Sequence, residues 1–579
     1  MKHFKRILTA ALALAMVLSL AACSGSTSSS SVSGGSSPEG TGNGEQGEEI
    51  VTLTVLAGSN GTKSGKIDAY WTDIYREDLG IEFDLIALTN EKLMSYMASD
   101  SMPDVTYALN ADQLSNAIAG DLILALDDYK EYAPDAVEWG EASMRYQREY
   151  ASNGTGKAYS VGRGILTTLS EQGQVNPVPY IRWDLYKELG YPELKTVDDF
   201  LPLLQKMMEL EPETPDGKKT YGFVLHNLEV GDATSLGVCS NYLNWFGRQL
   251  YGMSEYSIQE GKFVNSILDE DSLYMKALKF FYDANQMGLV NPDSMSMDWA
   301  ASMDSYTNGQ GFFTFEDYGM GNYVGNEEEY QGFKLMVSDD MTPFSPGLVP
   351  TGGASYPVVG KHTQYPEKAF AAINAYYDPD MVMDLNLGRK GTTWDVDSET
   401  NKPYVTEMGW DTFNNNKELP GGGLRVDGLW TFNFWGIQTG NVHPDYGVSM
   451  NWTQWDKKDF IPEDSNLVKD WRQYWRDRTG NQEIMEDRTA MKATGQLLWK
   501  LVTLYDSVMS DDMAQLQSSL QDIVTSYSYQ MVYAKDEAEF ESAKADMIAT
   551  VKEADPDGRY DAYMRERYEN AIALGKEFS

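Results

Sequence analysis

Residues 98–129, ASDSMPDVTYALNADQLSNAIAGDLILALDDY, decide the fold class. Pro103 ends the helix predicted before it, and the β-prone run Val105–Leu109 that follows is typical of a buried strand. Asn110 or Asp112 can cap the helix that comes next. A strand followed at once by a helix is half of a βαβ unit, so we expect an α/β protein with a parallel sheet.

The residues before this stretch predict two more strands with a helix between them. Residues 51–56 and 81–86 are β-prone, and residues 67–79 form a helical pattern that Gly80 closes. We interpret Asn60 and Asp104 as residues that follow strands, where open α/β sheets bind their ligands. Both are therefore candidate ligand-binding residues, although Asp104 can equally serve only to cap its turn.

The first 49 residues predict a targeting signal followed by a tether. Three basic residues precede an apolar segment, residues 7–20, which is too short for a good membrane span. The following Leu-Ala-Ala-Cys resembles a lipobox, so residues 1–23 are interpreted as a lipoprotein signal peptide with Cys23 as the lipidated residue. The alternative is an ordinary cleaved signal with an incidental cysteine. Residues 24–49 are rich in Ser and Gly and are predicted to be a disordered tether.

Composition excludes several classes of protein and partner. The remaining chain of roughly 530 residues is too long for one core and predicts two or more lobes. The net charge of −41 argues against nucleic acid or an anionic membrane as a partner. With Cys23 lipidated, Cys239 has no partner, so no disulfide is expected and Cys239 is interpreted as a small buried residue.

Searches for enzyme motifs in the sequence give no candidate catalytic residue. The three histidines outside the leader, His226, His362 and His443, do not form a zinc-binding spacing. Neither a nucleophile elbow nor a phosphate-binding glycine loop is found. We therefore expect no metal, no cofactor and no enzymatic activity.

Five sequence landmarks occur in a fixed order between residues 51 and 395. They are the stretch already quoted, the pattern Arg182-x-Asp184-Leu185 through Gly190 to Thr196 and Phe200, Gly288-Leu289-Val290-Asn291-Pro292 with Asn308-Gly309-x-Gly311, Tyr365-Pro366, and Gly388-Arg389-Lys390-Gly391 with Trp394. In this order they resemble the extracellular solute-binding proteins of carbohydrate ABC importers. From Trp410 onward the resemblance fades, and the C-terminal region is predicted to be helical.

The resemblance implies an α/β, two-lobed periplasmic-binding-protein-like fold of type II with a hinge. On this basis residues 50–165 and 311–378 are assigned to lobe 1, and residues 166–310 and 379–579 to lobe 2. The hinges are expected near residues 162–174, 309–315 and 377–383. Relatives carry a calcium-holding loop near residues 215–222, but here the loop is short and poor in oxygen ligands, which favours a plain turn.

Aromatic residues are the main clue to the ligand, because apolar sugar faces stack on aromatic rings. Five tryptophans lie in loop-like contexts near predicted lobe edges and are candidate ligand-binding residues, together with Asp395: Trp245, Trp299, Trp394, Trp430 and Trp435. For any single tryptophan of this group, packing in a core is the alternative. Trp471, Tyr474, Trp475 and Leu467 have helical spacing and are predicted to be core residues.

The resulting hypothesis is a lipid-anchored binding protein on the extracellular face of the cytoplasmic membrane. It would capture an oligosaccharide or other small solute between two lobes and deliver it to the transmembrane subunits of an ABC permease. The lipid anchor would be its sole membrane contact, and we expect a monomer. The alternatives are a secreted, lipid-anchored glycan hydrolase and the same fold binding a peptide or another solute.

Overall fold

The computed structural model describes residues 50–58, 64–168, 178–225, 237–257, 262–297, 299–315, 323–342, 349–353, 355–479 and 509–578. Cys23 and Asn60 therefore lie outside the described residues. The strands, in chain order, are β1 (Val51–Ala57), β2 (Gly65–Lys66), β3 (Ile81–Ala87), β4 (Val105–Leu109), β5 (Tyr180–Arg182), β6 (Tyr221–Phe223), β7 (Arg248–Tyr251), β8 (Ser254–Ser257), β9 (Lys262–Asn265), β10 (Gly311–Thr314), β11 (Phe333–Leu335), β12 (Tyr356–Val359), β13 (Trp394–Val396) and β14 (Pro403–Val405).

Helices connect these strands and form the C-terminal region. The α-helices are Tyr70–Leu79, Asn90–Ala98, Ala111–Ala119, Pro134–Trp139, Glu141–Tyr146, Trp183–Glu188, Phe200–Leu210, Gly237–Trp245, Leu273–Gln286, Trp299–Thr307, Pro366–Asn374, Pro379–Leu387, Glu407–Asn414, Asp427–Trp430, Asn466–Thr479, Asp511–Val532, Glu537–Ala554 and Arg559–Phe578. Short 3₁₀ turns occur at Leu126–Asp128, Lys130–Tyr132, Val197–Asp199, Pro292–Ser296, Glu327–Glu329 and Trp452–Gln454, and a π-helical turn at Gln147–Ala151.

The first sheet has the strand order β12-β4-β1-β3-β2. β1 runs parallel to both β3 and β4, which confirms the parallel pairing predicted from the sequence. The edge strands β12 and β2 are antiparallel to their neighbours. Alternate residues of β1, from Val51 to Ala57, face one core because successive side chains of a strand point to opposite faces.

Caps set the helix boundaries in this sheet, as the sequence predicts. Asn110 caps the helix Ala111–Ala119 by accepting from Gln113 N at 2.8 Å, and Gln113 Oε1 accepts from Asn110 N at 3.0 Å. Gly80, with φ +65°, ends the helix Tyr70–Leu79, which begins at Tyr70 rather than at the predicted residue 67. The two reciprocal bonds between Asn110 and Gln113 satisfy backbone amides that would otherwise lack a partner at the start of the helix Ala111–Ala119.

The second sheet has the order β11-β5-β10-β6, with β5 antiparallel to β10 and β11. β5 is the β-prone entry of the second landmark, and the helix Trp183–Glu188 follows it directly. Thr196 and Asp199 form a capping box before Phe200. A three-stranded meander, β7-β8-β9, and a hairpin, β13-β14, complete the strands of the described residues.

Strand pairing and core packing correct the predicted lobe boundaries. β10 and β11 pair with β5, so residues 311–335 belong to the second sheet and not to lobe 1. Val382, Met383, Trp394 and Trp455 pack in the core of the first sheet, so residues 379–455 lie with lobe 1 and not with lobe 2. We use first lobe for residues 50–165 and 355–455, and second lobe for residues 178–342 and 466–578.

The C-terminal helices pack on the second lobe. Asp470 Oδ2, in the helix Asn466–Thr479, accepts from the Trp183 indole at 2.8 Å and from the Tyr191 hydroxyl at 2.7 Å. The hydroxyls of Tyr274 and Ser528 lie 2.7 Å apart. Leu467, Trp471 and Trp475 are buried, which confirms them as core residues, whereas Tyr474 is half-buried at the edge of the same core. Cys239 is also fully buried. In the part of the chain that the structure describes, every helix is too short or too polar to span a bilayer.

A buried ion pair joins β5 to the helix that follows it. The Arg182 guanidinium is 1% exposed and donates to both carboxylate oxygens of Asp184, at 2.9 and 2.6 Å. Both oxygens of Glu211 accept from the same guanidinium, at 3.2 and 3.1 Å, and the Tyr323 ring lies 4.5 Å from it. This network lies within the second lobe, so Arg182 and Asp184 have a structural role there and do not form a hinge.

The buried carboxylate of Glu255, a residue of β8, lies against the first turn of the helix Leu273–Gln286. Its Oε1 accepts from Leu273 N at 2.8 Å. Burial raises the pKa of Glu255 to about 7, against the opposing effect of Arg248 and of the Tyr274 and Leu273 amides. The folded protein therefore holds a proton on Glu255 more readily than the unfolded chain does.

The first prediction concerns pH and Glu255. Because the folded pKa lies above the unfolded one, the stability that a protonated Glu255 supplies is lost as the pH rises toward about 7. Glu255→Gln keeps an oxygen acceptor and removes the charge. We expect the variant to match the wild type at about pH 5 but to gain about 2–3 kcal/mol in unfolding free energy at about pH 8. Denaturant unfolding at both pH values measures this, and a pH-independent difference would contradict it.

Candidate functional site at the crossing between the lobes

The chain passes between the lobes at residues 163–168, which we call the crossing segment. Arg163 and Leu166 form antiparallel bridges with Gly353 and Val349, and Ile165 forms a parallel bridge with Ile437. The crossing segment therefore lies between two other pieces of chain, residues 349–353 and 435–438. This agrees with the hinge expected near residues 162–174, as far as those residues are described.

The other two expected hinges are wrong. Residues 311–314 form β10 inside the second sheet, and the helix Pro379–Leu387 packs within the first lobe. Among the described residues, the run 157–164 forms a single β-bridge, at Arg163, and no strand. The second crossing is instead the segment 349–353, which returns the chain to β12 of the first sheet.

Asn441 holds the crossing segment in place. Its side chain is fully buried. Its Oδ1 accepts from the amides of Thr167 and Thr168, at 2.9 and 3.2 Å, and its Nδ2 donates to the carbonyls of Ile165 and Gln438, at 2.8 and 2.9 Å. One side chain thus satisfies four backbone groups on two pieces of chain, which fixes where the crossing segment begins to leave the first lobe.

An aromatic and basic cluster lies at this crossing, and we call Arg163, Trp430 and Trp435 the crossing site. The Trp430 side chain is 52% exposed at the end of the helix Asp427–Trp430. Its ring lies 5.2 Å from the ring of Trp435, at an angle of 55°. The Arg163 guanidinium lies 4.7 Å from the Trp435 ring. An exposed indole beside a second indole and a cation offers a flat apolar surface with polar groups at its edge.

Two backbone positions allow this close approach. Gly164, with φ +75°, donates its amide to the Trp435 carbonyl at 2.8 Å, and a Cβ there would come within 3.3 Å of the Trp435 indole nitrogen. Asn433 is left-handed, with φ +50°, and its carbonyl accepts from Arg163 Nη1 at 3.0 Å. The turn between the two tryptophans is therefore fastened to the crossing segment.

Asp104 serves the sheet rather than the site. It precedes β4 and does not follow a strand, so its expected position at a carboxyl-terminal strand end is wrong. Its Oδ2 accepts from the amide and hydroxyl of Thr54, at 2.8 and 2.7 Å, and its Oδ1 accepts from the Thr363 hydroxyl at 2.6 Å. These contacts join Asp104 to β1 and to Thr363, not to its own turn, so they do not match the capping alternative.

Trp245 and Trp394 lie in cores, not in loops. Trp245 ends the helix Gly237–Trp245, is fully buried and lies parallel to the Phe315 ring at 6.0 Å. Trp394 begins β13, is 1% exposed, and its indole donates to the Gly388 carbonyl at 2.9 Å. The loop positions expected for both residues are wrong, because neighbouring segments pack over the rings and leave no face open to a ligand.

The contacts of the remaining candidates, Asp395 and Trp299, give no evidence for or against a role in ligand binding. Asp395 is half-buried in β13, beside Trp394, and its Oδ1 accepts from Val396 N at 2.8 Å. Trp299 begins the helix Trp299–Thr307, but its side chain lies outside what the structure describes. Of the eight candidates, the structure therefore brings together Trp430 and Trp435. Arg163 was missed, although its position between two glycines at the predicted exit from lobe 1 was a usable signal.

The loop at residues 215–222 is a hairpin turn, as expected. Glu213 and Lys219 form an antiparallel bridge, and Lys218 pairs with Asp216 at 3.3 Å. Among the described residues, no group of three or more His, Cys, Asp or Glu side chains is arranged to hold a metal ion.

A second concave surface lies between the helices Asp511–Val532 and Glu537–Ala554. It encloses about 640 Å³, and Tyr529, Tyr533, Glu539 and Asp546 are among its lining residues. All of its lining comes from two helices of the second lobe, so movement of one lobe against the other would not close it. The crossing site is for this reason the better candidate.

Comparisons with known proteins agree with this architecture. No protein-family model matches the chain. A segment of 224 residues is 27% identical to Lipoprotein LipO of Bacillus subtilis (strain 168) and covers 38% of this chain. The chain spans about 40% of the length of that curated relative.

Solved structures match over most of the chain. The Streptococcus pneumoniae ABC-transporter substrate-binding protein FusA, an EF-hand mutant in complex with fructo-nystose, has a TM-score of 0.58 and 14% identity, and covers 90% of this chain and 100% of its own. The alginate-binding protein AlgQ2 without calcium has a TM-score of 0.57 and 12% identity, and covers 90% and 99%. This chain therefore has the two-lobed, periplasmic-binding-protein-like α/β fold of these solute-binding proteins.

Proposed function

We propose that this protein is a lipid-anchored, extracellular substrate-binding protein that captures an oligosaccharide between its two lobes and delivers it unchanged to an ABC importer. The observation that carries the proposal is the exposed Trp430, paired with Trp435, where the chain crosses between the lobes. The fold and the sugar complexes of structural neighbours such as FusA support it. The same comparison supports a non-enzymatic role, since those neighbours are substrate-binding transport proteins.

Closure of the lobes would provide the mechanism. A sugar ring on Trp430 contacts the first lobe beside the crossing segment, and a ligand that also contacts the second lobe favours the closed arrangement. The bridges at Arg163, Ile165 and Leu166 hold the crossing segment against its neighbours, and closure would bend the chain where it leaves them. The permease would then distinguish loaded from empty protein by the relative position of the lobes.

The anchor rests on the sequence and on the name of the curated relative. The lipobox-like Leu-Ala-Ala-Cys ends at Cys23, and LipO is named a lipoprotein. Two acyl chains on Cys23 give stable membrane attachment where one chain would not. Acyl labelling of cells that make the wild type or Cys23→Ser tests this, and a labelled, membrane-retained Cys23→Ser protein would contradict it.

The second prediction concerns Trp430. Replacing it with alanine should weaken oligosaccharide binding by about 1–3 kcal/mol, the magnitude of stacking and burying one aromatic ring. The melting temperature without ligand should stay constant, because the ring is 52% exposed. Titration calorimetry and a thermal melt measure the two effects.

A matched control for Trp430 is Trp410→Ala. Trp410 is half-buried in the same lobe, with its ring 6.4 Å from that of Trp452, and it does not belong to the crossing site. Its removal should leave affinity unchanged. Equal losses of affinity in the two variants would remove the special role of Trp430.

The function itself is tested by titrating the purified protein with a panel of oligosaccharides and recovering each bound ligand for mass spectrometry. Saturable binding with intact ligand is the expected result. Cleavage products would instead support the glycan hydrolase, and binding of peptides alone would overturn the sugar assignment.

A further inference from the structure

Arg163 is a partly buried cation that has no acidic partner among the described residues. Its Nη1 donates to the Asn433 carbonyl, and no carboxylate of the described residues lies within ion-pair distance of it. The remaining guanidinium donors, Nε and Nη2, have no hydrogen-bond partner among the described residues. Arg182, by contrast, is paired with both Asp184 and Glu211.

The surroundings of Arg163 disfavour its charge. Burial lowers the pKa of Arg163, and no neighbouring carboxylate counters this effect. An arginine nevertheless stays protonated in proteins, so the desolvation has to be offset by other contacts. The Trp435 ring at 4.7 Å and one carbonyl offset part of it. A bound anion would supply the remainder.

We infer that the crossing site takes an oligosaccharide that carries a carboxylate, with the acidic sugar bound by Arg163 and its ring face on Trp430. This inference rests on the proposed function. The planar fork of a guanidinium matches a planar carboxylate with two parallel hydrogen bonds, and Arg163 has donors left to make them. The negative charge of the whole chain is screened over about 8–10 Å at physiological salt, so the local cation determines the preference of the site.

The experiment compares ligands that differ only in the carboxylate. A panel of uronate-containing oligosaccharides is titrated before and after chemical reduction of the carboxyl groups to primary alcohols. We expect at least one acidic oligosaccharide to bind the wild type about tenfold more tightly than its reduced form. Arg163→Gln should remove this difference, and Arg163→Lys should keep part of it, because lysine retains the charge but not the fork.

Arg425→Gln is the matched control. Arg425 is also half-buried without a carboxylate partner among the described residues, but it donates to Asn386 at 2.9 Å and lies between the rings of Phe413 and Trp452. The variant should keep the preference for the acidic ligand. A similar loss in both arginine variants would point to a general effect of charge and would overturn the inference.

The remaining outcomes separate the inference from the function on which it rests. Equal affinity for acidic and reduced ligands, or binding of neutral oligosaccharides alone, would overturn the inference and leave the sugar-binding function in place. We expect Arg163→Gln to bind both ligand forms as tightly as the wild type binds the reduced form. A variant that binds both forms more weakly than that would reduce Arg163 to a structural residue. A protein that binds no oligosaccharide of either panel would overturn the proposed function as well.

Discussion

Arg182→Ala is expected to lower the free energy of unfolding of the second lobe by about 3–5 kcal/mol, the usual loss when one partner of a buried ion pair is removed. The guanidinium is 1% exposed and offers two donors each to Asp184 and Glu211. Its removal leaves two carboxylates without their cation, one of them only 15% exposed. Denaturant unfolding followed by intrinsic fluorescence measures the loss.

Lys417→Ala is the matched control for Arg182. Lys417 also contacts both oxygens of one carboxylate, at 2.8 and 2.7 Å on Asp411, but both side chains are 54% exposed. Solvent screens such a pair, and its removal should cost less than about 1 kcal/mol. If the two variants lose similar stability, the network around Arg182 is not the buried anchor of the second lobe that the structure shows.

Trp245→Ala should have the second large effect, a loss of about 3–5 kcal/mol in unfolding free energy from the cavity left in the core. The ring is fully buried against Phe313 and Phe315, with centroids 5.7 and 6.0 Å away. Oligosaccharide affinity, measured by calorimetry on the folded fraction, should stay unchanged. This pattern is the reverse of that expected for Trp430.

Trp245→Phe is the conservative control. It keeps an aromatic ring in the core, and the Trp245 indole nitrogen has no hydrogen-bond partner among the described residues to lose. A smaller loss of stability than in Trp245→Ala is therefore expected. A Trp245→Ala protein with an unchanged melting temperature and a weakened affinity would show that ligand reaches this ring after all.

Local chemistry made several helix boundaries predictable in both lobes. Asn110 with Gln113, and Thr196 with Asp199, each satisfy helix-start groups within three or four residues, so the sequence shows these boundaries directly. The parallel pairing of β1 with β3 and β4 followed from strands alternating with helices. The two-lobed fold was expected from five ordered landmarks, and the structural comparison confirms it.

Long-range pairing was not predictable in the same way. β10 looks like a strand leaving a loop, but only its partners β5 and β6 show that it belongs to the second sheet. Trp245 precedes Phe246 and Gly247 and therefore resembles a loop residue, whereas its burial depends on Phe313 and Phe315, distant in sequence. Arg163 likewise lacks a carboxylate partner among the described residues because of which residues lie near it in space, and no local sequence pattern predicts this.

The most direct test of the central claim is hydrogen–deuterium exchange of the full chain with and without a saturating oligosaccharide. If the sugar is captured where the chain crosses between the lobes, backbone exchange should slow in residues 163–168, 349–353 and 428–438, which carry or adjoin Arg163, Trp430 and Trp435. Protection confined to the helices Asp511–Val532 and Glu537–Ala554, or no protection with the sugar bound, would contradict the account.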